Sequence, residues 1–232
     1  MTRIISNLQA VHDAIAQAAR MAHRQKENIE LVAVSKGFSA DAVREAHQAG
    51  QLAFGESYIQ EAINKIELTR DLPLQWHFIG PVQSNKTRAV SAHFTWVHSL
   101  DRLKIAERLS KQRPSNLPPL NICIQVNVSG EDSKSGIAPE EVTELALAVA
   151  RLPQLKLRGL MTIPAPAEKP ETQRIPFFKL HQLMRQINKL GLSLDTLSMG
   201  MSHDLCAAIL EGATIVRIGR AIFGERIYGE NQ

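Results

Sequence analysis

A chain of 232 residues, 44% hydrophobic and 22% charged, has apolar material for one large core or two small ones and is too apolar for a disordered polymer. Its net charge is only +4 and its basic residues are scattered rather than clustered with aromatics, which argues against a nucleic-acid surface but leaves a mild attraction for anionic small molecules. Cys123 and Cys206 lie far apart without metal or redox spacing, and the N-terminus carries no apolar run long enough for a signal core or a membrane span. A reducing, cytoplasmic setting is expected.

The first predicted element is a helix over 5–26. Ile5, Leu8, Val11, Ile15, Ala18 and Ala22 recur at steps of three and four, and Arg24 and Lys26 stand where cations suit the C-terminal end of a helix dipole. A regular beat follows. Strand-like runs fall at 31–35, 52–55, 75–80, 94–99, 121–128, 155–161, 195–200 and 214–219, separated by helical patterns at 40–49, 57–69, 85–92, 101–112, 139–151, 173–190 and 203–211. Strand-helix alternation predicts an α/β protein with a parallel sheet, and eight strands are the number that closes as a (β/α)8 TIM-type barrel with an additional N-terminal helix. The competing open, doubly wound sheet lacks the Gly-rich first turn usual in dinucleotide-binding sheets. The Pro-rich segment 163–176 falls after the sixth strand, where a domain boundary would leave the barrel unclosed. It is read as a long rim loop, and residues 1–232 as a single domain. The segment SGEDSKSG, 129–136, is expected to be a flexible polar loop after the fifth strand.

In such barrels the loops after the strands, at their C-terminal ends, build the site. LVAVSKG, 31–37, stops at a lysine, and Val32, Val34 and Lys36 share one face of a strand. If the valines fill the barrel, the Lys36 amine stands over its mouth. Strands seven and eight run into SMGMSHD (198–204) and RIGRAIFG (217–224), each coupling small residues to a helix start, the arrangement that presents backbone N–H groups and a positive dipole end to phosphate. Ser202 suits the N-cap of the helix 203–211, with Gly212 ending it. Arg217 shares a face with Ile215 and Gly219, so its guanidinium either pairs with a buried carboxylate or faces a ligand near the rim. An amine, a phosphate cradle and a guanidinium fit an aldehyde that bears a phosphate, for which pyridoxal 5'-phosphate (PLP) is the obvious candidate.

LVAVSKG, FGESYIQE (54–61), WHFIGPVQSNK (76–86), LRGLMTIPAP (157–166), DTLSMGMSHD (195–204) and VRIGRAIFG (216–224) occur in the order and spacing of one family. Over nearly its whole length the chain resembles the pyridoxal phosphate homeostasis protein family, also described as YggS/PROSC-like. That resemblance implies a barrel like the cofactor domain of alanine racemases, with PLP held as a Schiff base on Lys36. Ser198, Ser202, Gly219 and Arg220 would surround the phosphate, Arg217 would face the pyridine nitrogen, and His77 and Asn85 would lie near the cofactor's rim. The family usually has Thr where this chain has Arg220, Asn where it has Ser57, and Thr where it has Gly37. Ser57 keeps a polar group for the ring hydroxyl but a shorter one.

The function implied is intracellular vitamin B6 homeostasis, buffering PLP or delivering it to PLP-dependent apo-enzymes by a monomer that needs neither nucleic acid nor membrane. An arginine at the ring nitrogen can only donate, which weakens the electron sink that amino-acid chemistry requires. Racemases of this barrel type add a second domain bearing a tyrosine base; here the eighth strand ends near residue 219, and Tyr58 and Tyr228 are not evident substitutes. A PLP-dependent racemase or lyase, and a cofactor-free Schiff-base aldolase, remain the alternatives. Lys134 offers a second amine that could relay the cofactor away from Lys36. Other signals carry no function: GRAIFGER lacks the Lys-Ser/Thr of a P-loop, Ser202, His203 and Asp204 sit too close in sequence to form a relay, and the histidines show no metal spacing.

Overall fold

In the computed structural model, which describes residues 2–130 and 135–225, the eight expected strands close into a barrel in chain order. They are β1 (Glu30–Val34), β2 (Ala53–Glu56), β3 (Gln75–Phe78), β4 (Trp96–Leu100), β5 (Leu120–Gln125), β6 (Leu155–Met161), β7 (Thr196–Ser198) and β8 (Ile215–Ile218). Every neighbouring pair is parallel, and β8 returns to β1 with Val32 opposite Arg217 and Ala33 opposite Ile218. The helices are α1 (Arg3–Met21), α2 (Ala40–Gln48), α3 (Ile59–Leu68), α4 (Thr87–His93), α5 (Leu103–Gln112), α6 (Val142–Val149), α7 (Pro170–Asn188), α8 (Leu205–Leu210) and α9 (Arg220–Phe223). Among the described residues, no helix is long and apolar enough to cross a membrane.

The two-residue period of the strands divides the core into two clusters. Leu31, Ala33, Phe54, Phe78, Val97, Ile122, Ile124, Leu160, Leu197 and Val216 belong to the large cluster that packs strands against helices. Val32, Ala53, Trp96, Cys123, Met161 and Ile215 form a separate buried plug, the inward-facing set of six different strands. Because both faces of most strands are covered, those strands read as near-continuous apolar runs, β6 with its exposed Lys156 being an exception.

Three expectations need correction. Helix α1 stops at Met21 rather than residue 26, because His23 takes the left-handed region (φ 53°) while Arg24 N–H bonds Ala19 O and His23 N–H bonds Arg20 O. This is a Schellman closure made without glycine, so no punctuation marked it in the sequence. Arg20, not Arg24 or Lys26, is the cation of its last turn. Helix α7 starts at Pro170, three residues early, since proline at the first helical position loses no intrahelical bond; the rim loop is correspondingly short. Ser202 is not the N-cap of α8: the helix begins at Leu205 with Asp204 as its cap residue. Gly212 does follow that helix, at φ 98°.

Candidate functional site

β1 ends at Val34, and the chain turns at once. Phe38 N–H donates to Ser35 O (3.0 Å), closing a four-residue turn with Lys36 second and Gly37 third, at φ 80°. A side chain at position 37 would be strained there, so glycine suits this turn. The turn is gripped from behind. The Lys65 amine, on a residue of α3 that is 3% exposed, donates to Ser35 O (2.6 Å) and Glu56 Oε1 (2.7 Å) and forms an ion pair with Glu61 Oε1 (2.6 Å). Glu56 Oε1 also accepts from Ser35 Oγ (2.7 Å), and Glu61 Oε1 accepts from Gly37 N–H (2.6 Å). Burial pushes the Glu56 carboxyl above its ordinary range, against the pull of Lys65 and Ser35.

Inside the barrel a polar chain lies above the apolar plug. Arg217, 4% exposed, donates from Nη1 to Ser198 Oγ (2.6 Å) and from Nη2 to Thr162 O (2.9 Å). Ser198 Oγ lies 2.7 Å from His98 Nδ1, and His98 Nε2 lies 2.9 Å from His77 Nδ1. An arginine can only donate, so Ser198 accepts from it. The assignment that strands no hydroxyl proton then has Ser198 donating to His98, and His98 donating to His77. His77 Nε2 carries the remaining hydrogen and has no hydrogen-bond partner among the described residues. Burial lowers the pKa of both imidazoles, that of His77 to about 3, so both are neutral. His77 stacks on Trp96 at 5.5 Å, and the Arg158 guanidinium lies 4.8 Å from the centroid of that indole. Arg217 makes no ion pair among the described residues; burial lowers its pKa to about 10, with Asp204 opposing at longer range. The buried-carboxylate explanation of this arginine is therefore not what the structure contains.

The turns after β7 and β8 lie on the same rim as Lys36, as parallel strands require. Arg217 N–H donates to Gly200 O (3.0 Å), tying one turn to the other. Gly200 has φ 97°, and a Cβ there would come 2.6 Å from Ala208 Cβ, so glycine alone lets the turn sit on α8. A Cβ on Gly219 would come 3.2 Å from Val34 O, which brings this turn against the end of β1, two residues from Lys36. Asp204 Oδ1 accepts from Met201 N–H (2.5 Å), and burial raises its carboxyl despite that bond.

The half-buried Lys36 lines a cavity of about 680 Å³ with Ser57, Tyr58, Gly80, Gln83, Lys86 and Gln125 among its walls. Gly80 packs so tightly on Ser57 that a Cβ would fall 2.3 Å from Ser57 O. The sequence-selected residues fall into three groups. Lys36 and Ser57 share the cavity; Gly219 and Ser202 lie on the neighbouring turns and Arg220 opens α9, Ser202 and Arg220 being exposed; and Ser198, Arg217 and His77 are buried in the barrel interior. The Ser198 hydroxyl is committed to Arg217 and His98, and His77 sits below the rim rather than on it. Asn85 is exposed beside Lys86, and is not among the cavity's walls. Lys134 and Tyr228, like the whole stretch 131–134 of the polar loop after β5, lie outside the described residues.

Sequence reading missed His98, Thr162, Glu56, Glu61 and Lys65. The signals were thin but present: His98 follows Trp96 at inward spacing on one strand, and Glu61 and Lys65 form an i,i+4 pair. It weighed Tyr58 and found it no evident base; the structure puts that side chain, 58% exposed, on the cavity wall.

Residues 6–227 match the family described as alanine racemase, N-terminal domain. A pyridoxal phosphate homeostasis protein from Pseudomonas aeruginosa is 58% identical over 229 residues, spanning 99% of this chain and 98% of that one. The chain belongs to the pyridoxal phosphate homeostasis protein family. The protein of that name from Vibrio cholerae is 51% identical over 235 residues, with both chains fully covered. PipY from Synechococcus elongatus, solved with PLP bound, superposes with a TM-score of 0.80 at 35% identity, over 90% of this chain and all of that one.

Proposed function

We propose that this protein binds PLP through its aldehyde at Lys36 and its phosphate at the turns after β7 and β8. It serves vitamin B6 homeostasis in the cytoplasm as a monomer that buffers the cofactor and hands it to PLP-dependent apo-enzymes. The carrying observation is the placement of two lysines. Lys65 is buried, its amine donating to Ser35 and Glu56 and ion-paired with Glu61, whereas Lys36 lines a cavity large enough for a phosphorylated pyridine. The names of close relatives and the PLP bound to PipY support the same reading.

The residues present fit the group. The glycine turns at 200 and 219 leave backbone, not side chain, facing a phosphate, and a Cβ at either would crowd its neighbours. Arg217 supplies a buried positive charge with no ion-pair partner among the described residues, and Ser57 stands on the cavity wall as a hydrogen-bonding group for the ring hydroxyl. Ser198 and Thr162 O hold two faces of the guanidinium, so its orientation is set before any ligand arrives. When bound, the cofactor supplies an aldehyde that condenses reversibly with a primary amine. A guanidinium donating to the ring nitrogen keeps that nitrogen from being protonated, which suits storage better than amino-acid chemistry.

One observation favours a second reading, a PLP-dependent racemase or lyase: Tyr58 lines the Lys36 cavity and could carry a proton. Turnover of a panel of amino acids, lost in Tyr58→Phe, would select it. The main reading is tested by intact mass after borohydride treatment with PLP. Wild type should gain one reduced adduct and Lys36→Ala none; an adduct in both, or in neither, overturns the assignment.

A further inference from the structure

We propose that Lys65, gripped between Glu56 and Glu61, is a positioning residue that aims the Lys36 amine; this rests on the reading that Lys36 bonds the cofactor. The cluster joins three elements that meet behind the turn. Glu56 ends β2, Glu61 and Lys65 lie one helical turn apart on α3, and Ser35 follows β1. Each residue flanking Lys36 is held by it. Ser35 gives its carbonyl to Lys65 and its hydroxyl to Glu56, and Gly37 gives its N–H to Glu61. Ser35 N–H is also used, on Gly55 O (3.1 Å). The backbone on both sides of the amine-bearing residue is thus fixed by bonds of 2.6 to 2.7 Å to charged groups.

A cluster of buried charges is a poor way to attach α3 to β2, since well-packed apolar side chains of similar volume are commonly as stabilising or more so. What apolar side chains cannot do is bond a carbonyl on one side of Lys36 and an N–H on the other. The geometry also leaves little slack: the Lys65 amine donates to Ser35 O and Glu56 Oε1 and lies 2.6 Å from Glu61 Oε1 as an ion pair. The side chain is therefore directed towards the cavity by a frame that depends on the Lys65 charge. Lys65 itself does not touch the cavity described for Lys36.

The experiment compares PLP with pyridoxine 5'-phosphate, the same molecule without its aldehyde, by equilibrium binding to wild type, to Glu61→Gln and to the charge-balanced Glu56→Gln/Lys65→Met. The double variant removes the ion pair without leaving a lone buried carboxylate, so its fold should survive. It should weaken PLP by tenfold or more, on the order of what misplacing a reacting group costs, and leave pyridoxine 5'-phosphate within about twofold. Glu61→Gln should show the same selectivity with a smaller loss, and it decides the matter should the double variant fail to fold. Unchanged PLP affinity, or equal loss of both ligands, overturns the positioning role. Absence of a borohydride adduct on Lys36 in wild type instead removes the reading beneath it, whatever the variants do.

Discussion

Ser198→Ala tests the polar chain inside the barrel directly. The hydroxyl is fully buried and serves two partners, accepting from the Arg217 guanidinium at 2.6 Å and bonding His98 Nδ1 at 2.7 Å. Alanine leaves a charged donor and an imidazole nitrogen without partners, in a place where the neighbouring strands leave little room to rearrange. Stranding a buried group costs about 1 to 3 kcal/mol, more when charged, so the variant should lose about 3 to 5 kcal/mol. At about 2 to 4 °C per kcal/mol for a chain of this size, thermal unfolding should fall by roughly 10 °C. The assay is urea unfolding followed by intrinsic fluorescence, run together with His98→Phe and the double variant. Because Ser198 and His98 share a bond, the two losses should fail to add by about 0.5 kcal/mol or more. A loss under about 1 kcal/mol, or strict additivity, would mean that this hydroxyl does not bridge the chain.

Three further outcomes follow from the same geometry. His77 and His98 are held neutral, His77 at about 3 against an ordinary 6.5, so the unfolded chain binds more protons below that ordinary value. Their contribution is complete above about pH 6.5 and is lost as pH falls, at up to about 1.4 kcal/mol per pH unit for each; urea midpoints between about pH 6.5 and 5 should show it, and His77→Phe should flatten the slope. Cys206 is exposed while Cys123 is buried with its thiol pushed up to about 12, so a thiol reagent should label one site in the native protein and the second only after unfolding. Gly80→Ala would drive a Cβ to 2.3 Å from Ser57 O; since both residues wall the Lys36 cavity, it should cost about 2 kcal/mol or more and weaken PLP, and an unaffected titration would refute this contact.

Much of the architecture was written in local pattern. Apolar runs of strand length between amphipathic helices announce a parallel sheet, and because both faces of such strands are covered, the runs stand out clearly. The helix ends were less legible. His23 closes α1 with no glycine to mark it, and Pro170 reads as a loop residue until it is seen to open α7. Lys36 could be picked out by carrying the alternation of Val32 and Val34 two residues on, although the strand ends at Val34 and Lys36 stands in the turn that follows.

Chain order and period-two spacing thus determined that a barrel would form and which residues would face its interior, because each of those facts depends only on near neighbours. The contacts that give the interior its chemistry join residues far apart: Ser198 to His98 across 100 positions, Arg217 to Thr162 across 55, Lys65 to Ser35 across 30. Such partners meet only after the sheet has curled and closed β8 onto β1. Whether a buried cation is balanced by a carboxylate, as Lys65 is, or by a hydroxyl and a carbonyl, as Arg217 is, depends on that closure, and no spacing along the chain encodes it.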